Sequence, residues 1–432
     1  MKRVLIITYY WPPSGGSGVQ RWLKSVRYLR DFGWEPIVYT ALDSEYPVID
    51  ESLEAQVPEG VEVIRRPIWE PYKLYKRFTG RKEGQRVVSG FLNEKKPSLS
   101  LRISMWIRGN VFIPDARRFW IRPSVRHLLG YLKEHPVDII VSTGPPHSMH
   151  RIALKIKRKA GLPWLADFRD PWTNIDFYKE LMLSRWADRK HHRLEKEVVS
   201  EADCVVVVGN QMREEFEQLS GRRVEVVPNG YDKADLWPQP REARDKKFSL
   251  IHIGLLNQHR NHEAFWTACA ELKEEIPGFG DDLVVRLVGK VDVSAGESIR
   301  RNGMGGQVET IDYLPQAEAI QQQGRAQVLL LFINDTPNAK GVVTGKIFEY
   351  LASGRPVLCI GPEDGDAAHI IREANAGLVA GFKDKQKMKA HIAHYYDRYR
   401  AGTLEVSSQG IAAFSRKALT GRFARLFESI TP

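Results

Sequence analysis

A chain of 432 residues is too long for one ordinary core, and two domains of about 200 residues each are the starting expectation. With 43% hydrophobic and 27% charged residues it is neither disordered nor fibrous. The net charge of +11 sits in one segment: Arg65 to Arg126 holds 16 Lys/Arg against 4 Asp/Glu, a balance of +12 that leaves the remainder at −1.

Along the chain, Met1-Lys2-Arg3 and the run Val4 to Ile7 imitate a short signal peptide, but Tyr9, Tyr10, Trp11, Pro12 and Pro13 follow without a small-residue cleavage site. A buried first strand, Arg3–Tyr10, fits better. Trp11–Gly18 reads as a loop, and Val19, Trp22, Leu23, Val26 and Leu29 repeat at helical spacing until Gly33 stops the helix. Further strands are expected at Trp34–Ala41, Val61–Ile64, Val137–Ser142, Pro163–Ala166, Cys204–Val208 and Val224–Val227. The basic segment interleaves Trp69, Tyr72, Tyr75, Phe78, Phe91, Trp106, Phe112, Phe119 and Trp120 with its cations. Pro71, Gly80, Gly84, Pro97, Gly109 and Pro114 break it into short pieces.

Asn229-Gly230 marks a turn, and the polar stretch Tyr231–Lys247 with Pro238 and Pro240 reads as a domain boundary. The pattern restarts with strands Phe248–Ile253, Leu283–Val288, Val308–Ile311 and Val328–Ile333. Helices are expected near Glu263–Glu275 and Lys346–Ala352, then a strand at Pro356–Ile360 and a last helix near Arg416–Ser429. The prediction is an α/β chain with a doubly wound domain over 1–235 (basic insertion about 65–126) and a second over 236–414, followed by a helix over 415–432. Ligands bind outside the carboxyl ends of strands in such sheets, here in a cleft between the domains. Cys204, Cys269 and Cys359 are widely spaced and form no zinc-type cluster, which fits a reducing cytoplasm. No apolar run is long enough to span a membrane.

Two loops carry the chemistry. Pro13-Ser14-Gly15-Gly16-Ser17-Gly18 joins a strand to a helix, where glycine amides and the helix dipole suit an anion, although it lacks the dinucleotide spacing. In the second, Thr344 is the expected N-cap of a helix buried through Ile347, Phe348 and Leu351 and closed by Gly354. Gly345 and Lys346 then occupy the first turn, suited to a diphosphate, with Glu349 one turn further as a reader of ribose hydroxyls. At first-domain strand ends, Asp167-Phe168-Arg169-Asp170 offers acids beside an Arg, Asp170 being preferred to Asp167. In Ser142 to His150, either His147 or His150 faces the cleft.

The residues Pro13 to Gly16, Val227-Pro-Asn-Gly-Tyr-Asp232 and Phe348-Glu-Tyr-Leu-Ala-Ser-Gly-Arg-Pro-Val357 resemble the large glycogen-synthase-like glycosyltransferase family 4, in its polysaccharide-biosynthesis branch. The resemblance implies the GT-B fold of two Rossmann-like domains and retaining transfer from a nucleotide-diphosphate sugar to a glycan or lipid-linked acceptor. The reaction would run on one face, without cofactor or metal. It implies that Glu349 holds the ribose, that Gly16 touches the donor diphosphate, and that the last helix returns to the first domain. The donor set becomes Gly16, Gly254, Arg260, Leu314, Thr344, Gly345, Lys346 and Glu349. Ser17, Asp167 and Arg169 are placed on the acceptor side, and Asp170, His147, Arg260 and Lys346 are the catalytic candidates. Three departures stand out. Gly341 occupies the position of the family's earlier glutamate, Leu255 stands where an Arg is expected, and Arg169 lies nearest the place of the family's first-domain His. Arg260 replaces the family's Lys, and Lys340 or Lys346 supplies the missing charge.

Two other readings compete. A nucleotide-sugar 2-epimerase shares the fold but acts on donor alone. Nucleic-acid binding through the basic segment lacks any recognition module. The same segment, with cations and aromatics interleaved, is expected to dock on an anionic membrane surface near the acceptor.

Overall fold

A computed structural model of the chain describes all residues except 43, 71–98, 176–177, 233–242 and 407. Tyr72, Tyr75, Phe78, Phe91, Pro238 and Pro240 therefore lie outside the described residues. The chain divides into two compact units, Met1–Pro228 with Arg416–Pro432, and Asn229–Ser415.

In the first unit the strands are β1 Lys2–Ile7, β2 Trp34–Leu42, β3 Glu62–Pro67, β4 Ile139–Gly144, β5 Trp164–Phe168, β6 Cys204–Val207 and β7 Glu225–Val226. They form one sheet in the order β3-β2-β1-β4-β5-β6-β7, parallel throughout. Its helices are α1 Ser17–Leu29, α2 Leu99–Asn110, α3 Ile121–Glu134, α4 Ser148–Ala160, α5 Arg185–Glu201 and α6 Asn210–Ser220. Helix α2 runs twelve residues through Gly109, where the sequence reading expected only short pieces.

The second unit repeats the plan with β8 Phe248–Ile253, β9 Leu283–Val288, β10 Val308–Ile311, β11 Val328–Phe332, β12 Val357–Ile360 and β13 Gly377–Ala380, ordered β10-β9-β8-β11-β12-β13. Its helices are α7 Glu263–Glu275, α8 Phe279–Asp282, α9 Val293–Arg301, α10 Gln316–Arg325, α11 Lys346–Ser353, α12 Asp366–Glu373 and α13 Lys385–Arg400. The final helix, α14 Arg416–Ile430, belongs to the first unit.

The central strands of each sheet are buried on both faces and are near-continuous apolar runs such as Val4-Leu5-Ile6-Ile7 and Val328-Leu329-Leu330-Leu331, whereas the edge strands β3 and β10 are partly exposed. One face of the first sheet is closed by α1 and α14 together. Trp22 packs on Phe423 at 4.9 Å and Trp34 on Phe427 at 5.2 Å. Gly421 lets α14 approach Phe32, since a Cβ there would come within 2.9 Å of the ring. All three cysteines are free and buried. Strand order reverses between β1 and β4 in one unit and between β8 and β11 in the other. Those switch points are where open α/β sheets take ligands.

Candidate active site

In the second unit the switch point gathers two cations. Chain leaving β8 passes through Gly254, whose φ of 128° is forbidden to most side chains. The Lys346 ammonium rests against it, so closely that a Cβ on Gly254 would lie 1.8 Å from Nζ. The backbone conformation thus requires glycine at position 254, and a side chain there would displace the lysine's ammonium. Helix α11, which carries Lys346, is tied to the same strand end because the Ile253 amide donates to the buried Tyr350 hydroxyl at 3.2 Å. From the β8 loop, Arg260 reaches across the switch point. Its Nε donates to Asn334 Oδ1 at 2.7 Å, just beyond β11, and Nη1 donates to the Leu255 carbonyl at 3.1 Å. Burial, and then the Arg260 charge, lower the Lys346 pKa to about 8, while Glu349 acts in the opposite direction. Burial also pushes His252 down to about 3, with Lys346 and Arg260 adding to it, so this neighbour is a neutral imidazole.

Glu349 lies one turn along α11 and accepts from Gln323 Nε2 at 3.2 Å. Lys340 pairs with Asp364 at 2.6 Å, which leaves Lys346 as the lysine beside Arg260. Leu314 packs partly buried against the core under α11. Thr344 requires a correction. The cap position is Gly345, without a side-chain cap, and the Thr344 hydroxyl is buried with no hydrogen-bond partner. Its carbonyl instead accepts from the Ile347 amide at 3.2 Å.

At the first unit's switch point, Gly16 heads α1 with a φ of 83°, and no acid occupies the first turn. A Cβ on Gly16 would meet nothing within 4 Å, so glycine is needed for backbone conformation and not for space. Ser17 opens the helix; its side chain lies outside the described residues.

Asp167 is a second correction. Its carboxylate is fully buried and accepts from Arg21 Nη2 at 2.8 Å, Trp22 Nε1 at 2.8 Å and Thr143 Oγ1 at 2.8 Å. Arg21 also donates to the carbonyls of Val227 and Pro228 at 2.7 and 2.8 Å. Burial opposes ionisation, but the Arg21 charge and these donors outweigh it and hold the carboxyl below its usual range. The partner is Arg21 and not Arg169, and an acid so enclosed is a structural hub, not an acceptor contact.

Arg169 is spent on carbonyls. It donates to Gly18 at 2.6 Å, to Gly144 at 3.2 Å and to Pro145, joining the loops after β1, β4 and β5. Asp170, the next residue, is exposed. His147 is only 7% exposed, stacked on Trp172 at 4.6 Å, and burial holds its pKa well below the ordinary value. His150 is wholly buried, with Nδ1 2.8 Å from Ser142 Oγ, and burial lowers it to about 3. Both are neutral rings set into the aromatic core. Asn334, Gln323 and Arg21 were not singled out from sequence, because each takes its role from a partner far away in the chain.

Comparison with known proteins adds to this geometry. A family model described as "Glycosyl transferase 4-like domain" matches residues 15–230, half of the chain. No curated protein matches. Among solved structures, sucrose-phosphate synthase from Thermosynechococcus elongatus superposes with a TM-score of 0.60 at 15% identity, covering 99% of each chain. A glycosyltransferase from Rickettsia africae gives 0.64 at 13%, covering 99% of this chain and 98% of that one. An E. coli structure titled trehalose-6-phosphate, bound with UDP-2-fluoro glucose, gives 0.58 at 12% over 100% of both. At these identities the structures establish the fold, two parallel-sheet α/β units of the GT-B kind. The family match covers the whole Gly16-to-Asn229 region described above, and the protein is a GT-B glycosyltransferase that belongs to the glycosyl transferase 4-like family.

Proposed function

We propose that the protein transfers a sugar, with retention of its anomeric configuration, from a nucleotide-diphosphate sugar to a glycan or lipid-linked acceptor in surface-polysaccharide synthesis. The observation that carries this reading is the convergence of Lys346 and Arg260 at the β8/β11 switch point, over a glycine that admits no side chain. A pair of protein cations there opposes the charge that grows on a diphosphate as its bond to the sugar breaks, which is preorganised electrostatic stabilisation. In this reading the diphosphate lies on Lys346, Arg260 and the amides of Gly254 and Gly345, and the departing phosphate oxygen takes the proton of the acceptor hydroxyl. Glu349, steadied by Gln323, accepts the ribose hydroxyls. In the first unit, the amides at Gly16 and Ser17 offer an anion site, and Asp170, exposed beside the rigid Arg169, is the acceptor contact. One structural neighbour, bound with UDP-2-fluoro glucose, supports the donor class. The excess cationic charge of the first unit supports an acceptor carried on an anionic surface.

Thermal-shift measurements with UDP-, GDP- and ADP-sugars test the donor site, since a ligand that binds only the native state raises its stability. Glu349→Ala should weaken the best donor by about 1.5–3 kcal/mol through lost hydrogen bonds to a charged group, with the melting temperature of the free protein unchanged. Donor affinity equal to that of the parent protein would remove Glu349 from the site. Product anomeric configuration by NMR decides retention, and conversion of donor with no acceptor present would replace transfer by epimerisation.

A further inference from the structure

A surface on the first unit is built as a cation–aromatic strip from segments far apart in sequence. Trp69, just after β3, meets Phe119 edge-on at 5.1 Å, and Phe112 meets the same ring at 6.1 Å. The Arg118 guanidinium lies 5.4 Å over Phe119 and donates to the Val111 carbonyl at the end of α2. Lys190 of α5 lies 4.5 Å over Trp186, and its proton is disfavoured by burial and by the charges of Arg118 and Arg193, which brings α5 to the same strip. Helix α2 is pinned alongside. Asn110 donates to the Met182 carbonyl at 3.2 Å and accepts from the Ser184 amide at 2.7 Å.

Apolar exposure on this surface is large. Trp186 is 60% exposed, Trp69 57%, Ile103 51% and Trp106 46%. Ile103, Trp106 and Ile107 stand at i, i+3 and i+4, one side of α2, and Arg102 and Arg108 are exposed on the same helix. Nearby carboxylates are mostly turned to protein groups. Asp115 accepts from the Ser148 amide and hydroxyl, and Asp188 accepts from Tyr178, while Glu180 faces solvent.

We infer that this strip, with Trp186 and Lys190 of α5 as members outside the basic segment, docks the protein on an anionic membrane surface. Mixed character decides the partner. Aliphatic Ile103, Ile107, Val111 and Met182 have no use against a soluble polyanion but enter the headgroup boundary, where Trp is also favoured, and the Arg and Lys heads meet lipid phosphates. A second copy of the chain would bring the same positive charge and be repelled. Each engaged cation contributes about a fivefold gain in binding. The inference deepens the proposed function by placing its acceptor at a lipid surface, and its test is independent of transfer.

Full-length protein is sedimented with phosphatidylcholine vesicles, with and without phosphatidylglycerol, at low and high salt. Association with the anionic vesicles at low salt, reduced at high salt, is expected, together with quenching of tryptophan fluorescence by bromine-labelled acyl chains. The double variant Trp186→Ser, Lys190→Glu should lose roughly tenfold or more in vesicle affinity and keep the melting temperature and donor-induced shift of the parent. Trp186→Phe with Lys190→Arg should restore binding. Protein left in the supernatant with anionic vesicles at low salt overturns the inference. So does vesicle binding that the double variant leaves unchanged, or binding without bromine quenching. Loss of the donor-induced shift in the parent protein, with vesicle binding intact, would sink the transfer reading and leave the docking surface standing.

Discussion

The two units carry the same switch point and fill it in opposite ways. Beyond β8 and β11, Lys346 and Arg260 converge with their charges directed to one place, and burial has already brought the lysine near its titration range. Beyond β1 and β4, most ionic groups are enclosed and Asp170 alone of those described above is exposed: Asp167 and Arg21 satisfy one another, Arg169 is consumed by three carbonyls, and two histidines are held neutral. A shared fold therefore dictates where a ligand can bind, whereas the side chains decide whether the place is poised for charge or closed by it. Rigidity is the gain in the closed case, since three loop ends are locked around Arg169.

The strongest break of this comparison comes from Asp167→Asn. If the carboxylate is a structural hub, its loss leaves Arg21 buried without a counter-charge and should cost about 3–5 kcal/mol in chemical denaturation. A variant as stable as the parent but unable to transfer would move Asp167 back into the site. On the poised side, Lys346→Ala and Arg260→Ala should each reduce turnover by about 100-fold or more, the loss expected for one preorganised charge on a developing anion. Nucleoside affinity should hardly change. Equal losses for nucleoside and nucleoside diphosphate would contradict the diphosphate placement.

A finer test uses pH. Only the protonated lysine attracts a diphosphate, so affinity should be constant below about pH 8, the value to which Lys346 is lowered, and fall by up to about tenfold per unit above it. Lys346→Arg should abolish that decline, because a guanidinium stays charged. Calorimetry in buffers of different ionisation enthalpy should record proton uptake on binding near pH 8. The smallest effect is predicted for Thr344→Val. A capping hydroxyl would be missed by about 1 kcal/mol, whereas one with no partner should be replaceable within about 0.5 kcal/mol in thermal unfolding.

Much of the fold was legible because a parallel sheet buried on both faces writes its strands as unbroken apolar runs. The bounds read for Phe248–Ile253 and Leu283–Val288 are those observed, and so are those of the half-exposed edge strand Val308–Ile311. Strand β13 escaped, since Gly377-Leu-Val-Ala is four residues long and begins with glycine, so nothing local separates it from a loop. In the candidate site, local signals carried Lys346 and Glu349 into view, and the family resemblance added Gly254, but neither gave the state of each group. Arg21 sits on a helix between Val19 and Trp22, where a polar residue reads as solvated. Only the fold, by bringing β5 and the Val227–Pro228 carbonyls against it, makes it a buried ion. Thr344 failed for the reverse reason. Thr-Gly-Lys has the composition of a capped start, yet the helix begins one residue later.

Helix α14 has a consequence for synthesis. It is made after the whole of the second unit, and it covers Trp22 and Trp34 of the first unit. Residues 229–415 must emerge from the ribosome in between, which at bacterial and eukaryotic elongation rates takes roughly 10 to 40 s. Throughout that interval one apolar face of the first sheet has α1 over it but waits for α14, the other half of its cover. The nascent chain is then at its most exposed to chaperones and to neighbouring copies on the same message, and slowing translation within the second unit lengthens that window without changing a single residue of the finished protein.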